Sequence, residues 1–156
     1  MSRDEQSALN RRVAQALGWR WFLATVISED SRHRGQQHPL FMSPQDATEE
    51  RGKDYYDLQP CEKPETVESW RWGDVPNYCT DPAAADLVEA WFEADGWRLI
   101  QDFVPVCGGG KHWLVKAFKQ DSIGRIEEES RHSRKVALCL AFLAAHDAQQ
   151  EQEAKP

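Results

Sequence analysis

The sequence predicts an α+β fold, a small mainly antiparallel sheet with helices packed on it as an α-β-α sandwich. Two observations support this class: helical periodicity near both ends of the chain, and two alternating strand segments that flank a glycine-rich connection. A length of 156 residues, with 40% apolar residues and seven tryptophans, suffices for one core. We therefore expect one domain over residues 1–148, an irregular insertion at about 28–76 and a disordered polar tail at 149–156.

A helix and a strand are expected first. Ser2 and Glu5 have capping-box spacing, and the apolar residues that follow recur on one helical face as far as Leu17. Gly18 suits a helix end, and the aromatic and β-branched run at 19–27 predicts a strand.

The second half predicts a helix, a hairpin and a further helix. Residues 80–82, Thr-Asp-Pro, form a helix start, and Gly96 ends that helix. Segments 97–104 and 112–118 predict the hairpin, with Trp and Leu side chains directed to one face. The segment 133–146 is apolar nearly all round, which predicts a central buried helix.

Three segments together resemble the phage ABA sandwich domain family. Residues 9–19 are similar to its opening helix that ends in Gly-Trp, residues 78–85 to its Tyr-x-Thr-Asp helix start, and residues 136–143 to its closing helix rich in Ala, Leu and Cys. The resemblance implies an α-β-α fold and a phage or prophage origin, and it implies no particular activity.

Composition narrows the function classes. The net charge of −7 disfavours general binding to nucleic acid, since such binding depends on Lys and Arg. No apolar run is long enough for a membrane helix, and the four scattered cysteines fit free thiols in a reducing compartment. We expect a protein of the host bacterium's cytoplasm, without membrane partners.

Two kinds of candidate ligand site stand out. An anion could be bound by the glycine-rich turn 107–110 with Lys111 and His112, although a plain hairpin turn explains the same residues and the spacing is not that of a Walker A loop. Other basic candidates are Arg32 and Arg34, and Arg131 and Arg134 with Lys135.

Aromatic residues in the insertion form the second kind of candidate. Tyr55 and Tyr56, with Trp70, Arg71 and Trp72, could sandwich a base or anchor a partner, or could simply fasten the insertion to the domain.

Metal and catalytic signatures are weak. Cys107 and His112 could be joined by Cys61, Cys79 or His38, but the spacing matches no strong zinc signature. No nucleophile–base motif is present, so we expect no cofactor and no catalysis.

These observations favour a non-enzymatic phage-encoded binding protein that acts against a host defence system, either by sequestering a small nucleotide or by blocking a defence protein. One alternative is an acidic DNA mimic, based on the stretches 46–57 and 127–129. Another is a nucleotide-cleaving enzyme that uses His112 or His132. An unpaired sheet edge also predicts a homodimer.

Overall fold

The computed structural model describes residues 1–64, 75–119, 125–130 and 133–155. Helices and small antiparallel sheets make up this part of the chain, which confirms the α+β class. Its internal contacts form two compact units, where the sequence indicated one domain with an insertion. The smaller unit comprises residues 17–75, and the larger unit comprises residues 1–16 with 76–156.

The smaller unit contains most of the segment that the sequence predicted to be irregular. After β1 (Arg20–Val26), the chain forms β2 (Gln37–Met42), α2 (Pro44–Arg51) and β3 (Tyr56–Pro60). The three strands are antiparallel in the order β2-β1-β3. Apolar side chains from all four elements form its core: Phe22, Ala24, Leu40, Met42, Ala47 and Leu58.

The prediction of irregular structure was wrong for 37–60 because its prolines occupy positions that strands and helices accept. Pro39 lies on β2, an edge strand, where a missing N–H is tolerated. Pro44 is at the start of α2, and the Ser43 side chain caps that helix by accepting from Asp46 N at 3.1 Å. Pro60 is the last residue of β3.

The larger unit contains α1 (Arg3–Ala16), α3 (Pro82–Ala94), β4 (Trp97–Val106), β5 (Gly110–Lys119), β6 (Arg125–Ser130) and α4 (Arg134–Glu153). Its strands are antiparallel in the order β4-β5-β6. Helix α4 contacts α1, α3, β5 and β6, which confirms that it is the central helix. At its middle, Phe142 is fully buried against Trp91, with ring centroids 4.9 Å apart.

Side chains cap the helices as the sequence predicts. Ser2 N donates to Glu5 Oε2 at 2.6 Å, while Glu5 N donates to Ser2 Oγ at 3.2 Å. Asp81 Oδ1 accepts from Ala83 N at 3.1 Å at the start of α3. Each contact satisfies an amide that a helix start otherwise leaves unpaired.

One prediction in the larger unit was wrong, and one strand was not predicted. The tail was expected to be disordered from Gln149, but α4 continues to Glu153, since Gln, Glu and Ala favour a helix and the Gln149 side chain donates to Asp95. The acidic run at 127–129, for which the sequence indicated no strand, lies on β6, which pairs with β5.

Candidate functional site

One predicted basic set lies beside a predicted tyrosine in the smaller unit. Ser31 Oγ is 3.2 Å from Tyr55 Oη and also accepts from His33 N at 3.1 Å. Arg32 and Arg34 belong to this connection between β1 and β2, and both are exposed. The structure therefore places the connection that carries Arg32 and Arg34 next to the half-buried Tyr55, through Ser31.

Tyr56 does not join Tyr55 in a stacking site. Tyr55 precedes β3, whereas Tyr56 is the first residue of that strand, is half-buried and packs against the core of the smaller unit. The two rings meet edge to face at 4.7 Å. Burial raises the pKa of Tyr56. Its place in the core favours a structural role over ligand binding.

The other aromatic candidates, Trp70, Arg71 and Trp72, lie outside the described residues, as do Arg131 and His132.

The glycine-rich turn closes the β4–β5 hairpin. Gly108 and Gly109 have φ of 103° and 87°, a region that suits glycine. Lys111 extends from β5, and its Nζ lies 5.6 Å from the centroid of the exposed Phe103 ring. His112 is opposite Val104. A strand follows this turn, so no helix N-terminus is there to help bind an anion.

The last basic candidates contact groups of their own unit. Arg134 Nη1 is 3.9 Å from Glu89 Oε1. Lys135 Nζ donates to the Thr80 carbonyl oxygen at 2.6 Å. Through these contacts, the two cations join the start of α4 to α3 and to the turn that precedes α3.

Metal and DNA-mimic hypotheses gain little from the geometry. In the described ranges, no three His, Cys, Asp or Glu side chains converge as a metal site requires. Cys107 is exposed, whereas Cys79 is buried.

Within the acidic stretch 46–57, Glu50 is buried and accepts from Lys53 Nζ at 2.8 Å, so the Glu50 charge is not presented on the surface as a DNA mimic requires.

A groove between α3 and β4, which the sequence did not predict, lies in the larger unit. It has a volume of about 450 Å³. Helix α3 lines it with Asp86, Glu89, Ala90, Phe92 and Glu93, and β4 lines it with Trp97, Arg98, Leu99 and Gln101. Since consecutive residues of β4 contribute, the groove reaches the edge of the strand. We call it the α3–β4 groove.

Strand β4 is an edge strand of the described sheet. It pairs with β5 along its whole length, and no described strand pairs with its other side. In an antiparallel pair, alternate residues direct their backbone N–H and C=O groups away from the partner strand. The α3–β4 groove is therefore bordered by backbone groups available to a ligand.

Asp95 fixes the geometry at one end of the α3–β4 groove. Its carboxylate accepts from Lys119 Nζ at 2.8 Å, from Trp97 Nε1 at 2.9 Å and from Gln149. The Lys119 hydrogen bond, with those of Trp97 and Gln149, lowers the pKa of Asp95 against the opposing effect of burial. Gly96, with φ of 77°, completes the turn into β4.

A second cavity, of about 660 Å³, lies near the start of β4. It is lined by Gly96, Arg98, Leu99, Ile100, Phe118 and Lys119. Arg98 lies opposite Phe118 in the hairpin, and Ile100 shares their face of the sheet. Because Arg98 and Leu99 line both cavities, the two cavities flank the same part of β4.

Comparisons of the chain with protein-family models, with curated proteins and with solved structures give no match. The resemblance to phage ABA sandwich proteins therefore stays a prediction, and so does the homodimer. None of the described helices combines the length and the hydrophobicity that crossing a bilayer requires.

Proposed function

We propose that this chain is a non-catalytic binding protein that recognises an extended segment of another protein at the α3–β4 groove. The open edge of β4 supports this proposal most directly. An edge strand offers unpaired backbone donors and acceptors, and an added strand is a common way of satisfying them.

The position of α3 makes this edge suited to selective binding. In strand addition, main-chain hydrogen bonds provide affinity, and pockets for alternate side chains provide specificity. Here α3 forms a wall beside the edge, and the second cavity lies on the other face of the same strand segment. A segment added to β4 would thus contact a cavity with each set of its alternating side chains.

The proposed biological setting follows from the resemblance. A phage protein that captures a segment of a host defence protein would block that protein without catalysis. Strand addition suits such blocking because it occupies backbone groups of the target as well as its side chains.

An unbiased peptide library tests the proposed function. Peptides selected from a randomised library on the full chain should shift the backbone amide resonances of β4. Ala90→Gln, which places a longer neutral side chain in the α3–β4 groove, should weaken their binding by about tenfold, equivalent to about 1.4 kcal/mol. Ala83→Gln changes an exposed residue of α3 that does not line the groove, and it should leave affinity unchanged. Selected peptides that leave β4 unaffected would refute the proposal.

A second candidate function is the binding of a nucleotide at Arg32 and Arg34. The hydrogen bond between Ser31 and Tyr55 favours it, since it holds a basic connection beside an aromatic ring. Calorimetry against cyclic and linear nucleotides should then show binding that Arg32→Ala weakens by roughly tenfold to a hundredfold. Arg11→Ala, in α1, is the matched control. Absence of heat across the panel would remove this candidate.

A further inference from the structure

The charged residues that line the α3–β4 groove, and the spacing between them, indicate what kind of peptide segment the groove binds. This inference depends on the proposed function. Asp86, Glu89 and Glu93 are at i, i+3 and i+7 of α3, so they lie along one side of the helix. Arg98 is the one cation among the residues that line this groove. The lining therefore has a net charge of −2, from three carboxylates and one guanidinium.

Of the three carboxylates, those of Asp86 and Glu93 are more accessible to a ligand than that of Glu89. Glu89 is partly engaged, since its Oε1 lies 3.9 Å from Arg134 Nη1 and 3.4 Å from Gln101 Nε2. Asp86 and Glu93 are exposed. The side-chain oxygen Oε1 of Gln101, another residue that lines the groove, is buried and has no hydrogen-bond partner among the described residues. The α3 side of the groove thus offers carboxylate acceptors, whereas the donors Arg98 and Gln101 belong to β4.

The spacing of the two exposed carboxylates exceeds the same-face repeat of an extended chain by about 4 Å. Seven residues of helix separate Asp86 from Glu93, a rise of about 10.5 Å along α3. In a strand, side chains on one face repeat every 6.6–6.8 Å or so. Two basic side chains at positions p and p+2 would therefore both meet carboxylates of α3, because Lys and Arg are long enough to cover the remaining offset.

The opposite face of the same segment would meet a different surface. Side chains at p+1 of an extended chain point away from those at p and p+2. The second cavity extends to that side of β4, where Ile100 and Phe118 supply apolar lining. Ile100 is 41% exposed, so apolar surface remains there for a ligand to cover.

We infer that the α3–β4 groove takes an extended segment with the alternating pattern basic–apolar–basic, added as a strand to β4. A second copy of this chain fits poorly as the occupant, because pairing of two β4 edges would bring two sets of acidic α3 side chains together. Charge complementarity instead favours a partner whose segment is positive, and a net charge of −7 on the whole chain helps to attract it.

Defined peptides test the inference. A capped peptide of alternating Lys and Val should bind the full chain and shift the amide resonances of β4. The same peptide with Glu in place of Lys should bind at least tenfold more weakly. A peptide of the same composition with its lysines grouped together should also bind more weakly, because it lacks the alternation. A peptide N-methylated at the backbone should bind more weakly because it cannot form the strand pairing.

Charge variants of the protein give the matched comparison. The double variant Asp86→Asn, Glu93→Gln should bind the Lys–Val peptide roughly threefold to tenfold more weakly. This is the effect expected for the loss of two exposed ion pairs. Asp4→Asn combined with Glu49→Gln makes the same change of net charge on α1 and α2, which do not line the groove, and should leave affinity nearly unchanged.

The outcomes separate the inference from the proposed function. If library peptides bind at β4 but the Lys–Val peptide does not, or if the Glu peptide binds as well, the basic pattern is wrong and strand addition stands. If no peptide affects β4, both are wrong. Shifts of β4 resonances that depend on protein concentration alone would show that a second copy is the occupant, and would also overturn the inference.

Discussion

Asn10 provides the sharpest test of how the larger unit is held together. It lies on α1, is 8% exposed, and its Oδ1 accepts from the backbone N of Cys79 at 3.1 Å. Its Nδ2 donates to Asn77 Oδ1 at 3.0 Å. Asn10→Ala leaves the N–H of Cys79, which is 1% exposed, buried without its acceptor. Such a loss costs about 1–3 kcal/mol, and the lost bond to Asn77 adds about 0.5–1 kcal/mol.

The higher helix propensity of Ala offsets part of that cost, by about 0.5 kcal/mol. We therefore expect the free energy of unfolding to fall by about 2 kcal/mol. Urea denaturation followed by tryptophan fluorescence should then show a midpoint lower by about 1 M, for a slope of about 2 kcal/mol/M. Asn77→Ala is the control, because it removes only an exposed partner and should cost about 0.5–1 kcal/mol. Equal effects of the two substitutions would refute the importance of the buried N–H.

Three further predictions concern packing, pH and capping. Phe142→Ala should destabilise by about 3–5 kcal/mol, since the ring is fully buried against Trp91, and a loss below about 1 kcal/mol in chemical denaturation would contradict the packing. The pKa of Asp95 is lowered on folding, so its ionised carboxylate stabilises the fold above the unfolded pKa, and that contribution disappears as the pH falls through the folded pKa. Asp95→Asn should therefore destabilise near pH 7, with the difference from wild type shrinking below about pH 4, and a difference independent of pH would show that its charge is unimportant. Ser133→Ala should cost about 1 kcal/mol in the same unfolding assay, because Ser133 Oγ accepts from Lys135 N and Val136 N, and no change would show that the cap is replaced by water.

Features of the sequence with a local physical cause were predicted well. The capping side chains Ser2 and Asp81 act within a few residues of themselves, so their pattern is visible without a tertiary structure. The apolar surroundings of Phe142 likewise predicted a buried helix, because a helix that is apolar on all sides must be enclosed.

Features that depend on distant partners were not predicted. Proline content suggested irregular chain at 37–60, yet Pro39 and Pro44 sit where an edge strand and a helix start accept them. Strand β6 was not predicted because it contains three glutamates, and acidic residues have low strand propensity. Its pairing with β5 outweighs that propensity.

The candidate site was harder to predict for the same reason. The sequence predicted an unpaired sheet edge but did not indicate that this edge is β4, beside the acidic residues of α3. Of the predicted ligand residues, Arg32 and Arg34 lie in the connection whose Ser31 is within hydrogen-bond distance of Tyr55. Tyr56 instead packs, half-buried, against the core of the smaller unit, on the same side of β3 as the buried Leu58.

Hydrogen exchange at the amides of β4 tests strand addition most directly. In the free protein, the outward-facing amides of residues 97–106 should exchange faster than those paired with β5. With a saturating peptide from the library, or the Lys–Val peptide, these outward amides should become protected, while the exposed connection 28–36 in the smaller unit should not change. Tight binding without protection of any β4 amide would contradict strand addition at this edge.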